Sequence, residues 1–147
     1  MHFQMTSWPD FGVPSSAESM LHIHGLVRKA QADHVAALGN SWTGHPRGPP
    51  MVIHCSAGIG RTGTFATIDI NVSRLVGSGK VEVFQTVEHL RSQRAMTVQT
   101  MEQYEFIHLA ILEHALAMPT VEETLKEEII NFMEEWKALD FEESDSD

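Results

Sequence analysis

The sequence is short of cysteine, of positive charge and of long apolar runs, and each shortage excludes something. A single cysteine, Cys55, cannot close an internal disulfide or build a multi-thiolate zinc site, so the chain reads as intracellular and Cys55 as structural or reactive. Ten basic residues against twenty acidic ones leave a formal net charge of -10, with no overall positive field to hold a phosphate backbone. A general nucleic-acid or anionic-membrane binder is thereby disfavoured. No apolar run reaches the roughly eighteen residues of a membrane span, and Met1-His2-Phe3-Gln4-Met5 is not a basic and apolar leader, so the expected location is the cytoplasm.

What is there is enough for one compact domain: 147 residues, 42% of them hydrophobic. The charge is unevenly placed. Eleven of the twenty carboxylates lie between Glu122 and Asp147 with only Lys126 and Lys137 against them, a net of -9, so residues 1–121 hold nine acidic and eight basic residues and are nearly neutral. Any anion bound by this body must be held by local groups.

Residues 2–6 alternate polar and apolar positions and suit a short strand, followed by a loop, Trp8-Pro9-Asp10-Phe11-Gly12-Val13-Pro14. Ser15 and Glu18 have capping-box spacing ahead of a stripe at Met20, Ile23, Val27 and Ala30, which predicts an amphipathic helix fading near Gly39. A Gly- and Pro-rich connection over 39–50 leads to Met51-Val52-Ile53, a run of the kind a buried strand shows. Helices are predicted through Phe65, Ile68, Val72 and Leu75, stopping at Gly77, and through Val83, Val87 and Leu90. Thr100 with Gln103 caps a further one carrying Tyr104, Ile107, Ile111 and Ala115 and ended by Pro119. A last amphipathic helix, with capping-box residues Thr120 and Glu123, spans 119–141, and 142–147 is expected to be a disordered acidic tail. Two short strands are too few to satisfy a buried sheet's backbone groups, so the expected class is α/β, the chain being part of a larger sheet domain.

One segment concentrates chemistry: His54-Cys55-Ser56-Ala57-Gly58-Ile59-Gly60-Arg61-Thr62-Gly63, between the apolar run and a helix. Backbone N–H groups at a helix start and a nearby guanidinium lower a thiol's pKa, and the same donors cradle a tetrahedral oxyanion. Glycines let the backbone approach the anion, and Arg61 can grip two of its oxygens in a planar fork. Three readings compete: an inert buried thiol, a dinucleotide site matching G-x-G-x-x-G, and a Cys-x5-Arg phosphate loop. The dinucleotide reading lacks a second βα unit and a well-placed acidic residue, since Glu82 is loosely positioned; a Walker A loop fails because Thr64 stands where its lysine should. His54, the glycines and the Thr62 hydroxyl favour the phosphate loop.

That loop resembles the signature of the cysteine-dependent protein tyrosine phosphatases. Trp8-Pro9-Asp10-Phe11-Gly12-Val13-Pro14 resembles the mobile loop that delivers the general acid in phosphotyrosine-specific members, and Gln99-Thr100-Met101-Glu102-Gln103-Tyr104 resembles their glutamine loop. The three motifs follow the family's order, and the similarity covers about residues 2–117, a C-terminal part of the catalytic domain of the non-receptor type. The resemblance implies a twisted mixed sheet, incomplete here, flanked by several helices, with the strands and substrate-recognition loop that precede the acid loop not included in this sequence.

The resemblance also implies roles. Cys55 is the nucleophile; Arg61 and the backbone of Ser56, Ala57, Gly58, Ile59, Gly60 and Arg61 hold the transferring oxygens. Asp10 protonates the leaving tyrosine oxygen and then activates water, positioned by Gln99 with Gln103. Thr62 donates to the departing thiolate and His54 tunes the loop. The expected partners are phosphotyrosine-containing proteins. No cofactor and no metal are expected, since His22 and His24 are two apart on a helix and point to different sides. The alternative is a non-catalytic or dominant-negative phosphotyrosine-binding fragment.

Overall fold

The computed structural model describes residues 1–9 and 12–144, and the side chains of residues up to 138. Among the described residues five α-helices succeed one another: α1, Glu18–Leu38; α2, Gly60–Ser78; α3, Val83–Gln93; α4, Met101–Ala117; and α5, Glu123–Ser144. A 3-10 turn, Gly39–Ser41, closes α1. The helices α2 and α4 form the central pair; α3 packs on α2, while α1 and α5 pack on α4.

Both expected strands are absent among the described residues. Residues 2–6 and 51–53 join no ladder, and Val52 is 92% exposed. An extended segment becomes a strand only when a neighbour takes up its N–H and C=O groups, and no described segment lies alongside to do so. The described part of the chain is therefore helical, and the α/β expectation is corrected to that extent.

The core is built where the stripes predicted it. Ile68 and Val72 of α2 meet Phe106, Ile107, Ala110 and Ile111 of α4, with Met20, Val83, Val87 and Trp8 around them. Leu75 and Tyr104 are partly buried at its edge. The buried face of α2 is unusually polar, and its own backbone satisfies it. Thr64 and Thr67 donate to the carbonyls of Gly60 and Gly63 at 3.1 and 2.8 Å. Asn71, fully buried, donates to Thr67 O and Thr86 Oγ1 and accepts the N–H of Glu82 at 2.8 Å, tying α2 to the start of α3.

Some helix ends differ from expectation. Helix α1 starts at Glu18 on Ala17, without a side-chain cap, so Ser15 lies outside the helix and Glu18 is its first residue rather than its third. Helix α2 runs past Gly77 to Gly79, which adopts the left-handed conformation at φ 68° and returns its N–H to Leu75 O. Thr100 caps α4 as predicted, its hydroxyl accepting the N–H of Gln103 at 3.3 Å. Helix α5 continues three residues beyond 141. Among its described side chains only Met133 is well buried, whereas Leu125, Ile130 and Phe132 are exposed.

His24, in the predicted α1 helix, is buried with its Nε2 2.8 Å from Asp69 Oδ1, and Arg28 closes on the same carboxylate. Burial pushes the Asp69 carboxyl up, but His24 and Arg28 outweigh it and hold it below the ordinary 3.8. This cluster joins α1 to α2.

Candidate active site

Residues 54–59 form a bent turn that delivers the chain into α2. Cys55 is half-buried, and its Sγ accepts the N–H of Gly58 at 3.2 Å. The turn folds this tightly because Gly58 has φ +70°, a left-handed conformation that a Cβ would penalise. Burial pushes the Cys55 thiol up, but the Thr62 hydroxyl and the N–H groups of Thr62, Gly58 and Ile59 pull harder, and it falls from 9.0 to about 7. Thr62 Oγ1 is enclosed and closes no hydrogen bond of full geometry among the described residues, so it acts on the sulfur as a nearby dipole. The Gly58 N–H is the donor whose bond is geometrically complete. A thiol so placed is in good part thiolate at neutral pH.

Arg61 is the second residue of α2 and forms no ion pair among the described residues. Ser56 and Ala57 are exposed, Ile59 is half-buried and Gly60 is buried. His54 is exposed, with Nδ1 3.4 Å from its neighbour's carbonyl, Cys55 O.

The glutamine segment lies against this loop. A Cβ on Gly60 would stand 2.9 Å from Gln103 Nε2 and 3.3 Å from Gln99 Oε1, so glycine is what allows both amides to approach. Gln103 is buried, and its Oε1 accepts the N–H of Gln99 at 2.9 Å. This is a capping box reaching one residue further back than usual, and it leaves the Gln103 amide NH2 facing Gly60. Gly63 makes the second close approach: a Cβ there would meet Thr97 Cγ2 at 2.5 Å and Val98 N at 2.6 Å.

The family model described as protein-tyrosine phosphatase matches residues 1–113. The chain belongs to the protein-tyrosine phosphatase family. It is 53% identical over 114 residues to tyrosine-protein phosphatase non-receptor type 9 of Rattus norvegicus and 52% identical to that of Homo sapiens, covering 78% of this chain and 19% of each relative. Receptor-type tyrosine-protein phosphatase epsilon of Rattus norvegicus is 42% identical over 116 residues, 79% of this chain and 14% of the relative. The higher identity falls on the non-receptor type. The chain spans about a fifth of the length of those non-receptor relatives.

Within this protein-tyrosine phosphatase chain, the sequence-predicted residues Cys55, Thr62, Gln99 and Gln103 come together around the start of α2. Asp10 and Phe11 lie outside the described residues. The flanks of their loop are anchored: Trp8 is buried edge-on against Phe106 at 5.4 Å and donates its indole N–H to Gly12 O at 3.3 Å. Among the described residues no three His, Cys, Asp or Glu side chains converge as metal ligands, and no helix is long and apolar enough to cross a membrane.

Two arginines escaped the sequence reading. Arg94 donates from Nε to Gly58 O at 2.9 Å and from Nη2 to Ala57 O at 3.0 Å. Arg91 treats the next segment alike, with Nε on Thr97 O at 2.8 Å and Nη2 on Val98 O at 2.7 Å. Val98 needs that grip, being β-branched, buried and at φ 60°, a conformation such residues rarely hold unaided. The available signal was two arginines three residues apart just before the glutamine motif, in a body with few cations.

Proposed function

We propose that this chain carries the catalytic centre of a protein tyrosine phosphatase, hydrolysing phosphotyrosine on proteins through a phosphocysteine intermediate. One observation carries the reading: a single half-buried thiol, lowered to about 7, sits at the mouth of a glycine-bearing turn whose N–H groups face its sulfur.

The Cys55 thiolate attacks phosphorus, forming the S–P bond as the P–O bond to the tyrosine breaks. Arg61 and the N–H groups of residues 56–61 hold the three equatorial oxygens as charge develops on them. Asp10, carried over from the family's acid loop, gives the proton to the leaving phenolate and then takes one from the water that attacks phosphocysteine. Gln99 and Gln103 position that water, and inorganic phosphate and the thiolate are released. Thr62 stabilises the thiolate in both steps, and His54 tunes the loop.

Residues 1–118 form the phosphatase portion in this reading, followed by the acidic helix α5, Glu123–Ser144. In the whole domain the extended segments at 2–6 and 51–53 take places in a mixed sheet, which their sequence pattern suits. A catalytic thiol that must stay reduced fits the cytoplasm.

Vanadate-sensitive hydrolysis of a phosphotyrosine peptide, abolished in Cys55→Ser, tests this function. Retention of the phosphopeptide by a folded chain that releases no phosphate would instead support the non-catalytic binding fragment.

A further inference from the structure

We propose that Arg94 is a positioning residue for the Cys55 loop: by gripping the carbonyls of Ala57 and Gly58 it turns the N–H groups of Gly58 and Ile59 onto the Cys55 sulfur. The inference rests on the phosphatase reading of that loop and deepens it.

In a planar trans peptide the C=O and the following N–H point in opposite directions. The Ala57 carbonyl shares a plane with the Gly58 N–H, and the Gly58 carbonyl shares the next plane with the Ile59 N–H. Arg94 takes the two carbonyls, at 3.0 and 2.9 Å, with two donors of one rigid guanidinium. On the opposite side the Gly58 N–H meets Cys55 Sγ at 3.2 Å, and the Ile59 N–H also stabilises the thiolate. One planar fork thus sets two successive peptide planes, and their outward carbonyls oblige their N–H groups to face inward.

The loop needs such a restraint. Residues 54–59 precede the first residue of α2, so no helical ladder orients these peptides, and φ +70° at Gly58 marks a backbone with wide freedom. Arg94 is well mounted for the task. Its own N–H caps α3 on Leu90 O, which fixes the base of the side chain. The fork itself is solvent-exposed, where hydrogen bonds add little to global stability. Its effect should therefore appear in the loop rather than in the melt.

Because Cys55 is the only cysteine, alkylation of the full chain by iodoacetamide reads this thiol alone. Its rate against pH is to be compared for wild type, Arg94→Gln and Arg94→Lys, with thermal melts alongside. The expected result is a wild-type midpoint near 7. Arg94→Gln should raise that midpoint by about one unit, slowing alkylation at pH 6 about tenfold. Arg94→Lys, which keeps the charge but not the fork, should raise it as well with an unchanged melt. If Arg94→Gln unfolds, the lysine variant decides. If both unfold, the wild-type 15N resonance of Arg94 Nε decides, and it should titrate with the Cys55 midpoint. A depressed wild-type midpoint that neither folded variant moves, or an Nε resonance that ignores the Cys55 titration, overturns the Arg94 assignment alone. A wild-type midpoint near 9 overturns the catalytic reading and this inference with it.

Discussion

The N–H of Val98 donates to the carbonyl of Ile59 at 3.2 Å, and the same carbonyl accepts the N–H of Gly63 at 3.0 Å. Through that shared acceptor the Cys55 loop, the first turn of α2 and the segment leading to Gln99 form one unit. A disturbance of any one of them is therefore felt by the other two.

Gly63 sits inside that unit. Replacing glycine by alanine in a helix normally stabilises by about 1 kcal/mol, but here the new Cβ would fall 2.6 Å from the backbone N of Val98, which cannot swing aside. Gly63→Ala should destabilise by about 1–3 kcal/mol, the usual cost of overpacking, and loosen the Val98–Ile59 bond. A urea titration with an unchanged or higher midpoint would contradict this.

Gly60→Ala should behave differently. Its Cβ would meet the ends of the Gln103 and Gln99 side chains, at 2.9 and 3.3 Å, and flexible amides can retreat. The expectation is a melting temperature close to that of wild type with phosphotyrosine-peptide turnover reduced at least tenfold, because the amides proposed to position the attacking water are displaced. Steady-state kinetics and a thermal melt on the same sample check it.

Thr62→Val removes the hydroxyl that, after burial, acts most strongly on the Cys55 thiol. Loss of a group that favours the thiolate must raise the pKa, from about 7 toward 9.0. The acid limb of the alkylation profile should shift to higher pH, and the phosphatase activity limb with it. An unshifted profile would show that the backbone N–H groups suffice.

Asp69 connects pH to stability. Its carboxyl is held below the ordinary 3.8 in the fold by His24 and Arg28, so the unfolded chain binds its proton more readily. The stabilisation is fully present above the unfolded value and is lost as pH falls through the lower folded one. Asp69→Asn should cost about 3 kcal/mol at pH 7, since it leaves Arg28 and His24 without their shared partner. Urea titrations at descending pH should show the gap between the two proteins closing below 3.8.

Much of the helical frame was legible in local pattern. The stripe Ile68, Val72 and the pair Ile107, Ile111 are spaced for one helix face, and they are buried. Thr100 capped α4 as its spacing to Gln103 implied. Met51-Val52-Ile53 was legible only as an apolar run, and a run cannot say whether a neighbour exists to bond it into a strand. Arg94 was illegible for a related reason. An exposed arginine looks like any other until the carbonyls it meets, 36 and 37 residues earlier, are known.

By itself the sequence determined the family, the order of the phosphate and glutamine motifs, and the helix periodicity. These depend on residue type and near spacing, which the linear chain carries. Only the tertiary structure decided which groups face the Cys55 sulfur, that Gln103 bonds Gln99 while crowding Gly60, and that His24 and Arg28 share Asp69. The contacts at Asp69 and at Gly60 join residues far apart along the chain, whereas the Cys55–Gly58 and Gln99–Gln103 bonds are local and take their geometry from loops held in place by packing. They exist only once α1, α2, α3 and α4 have packed.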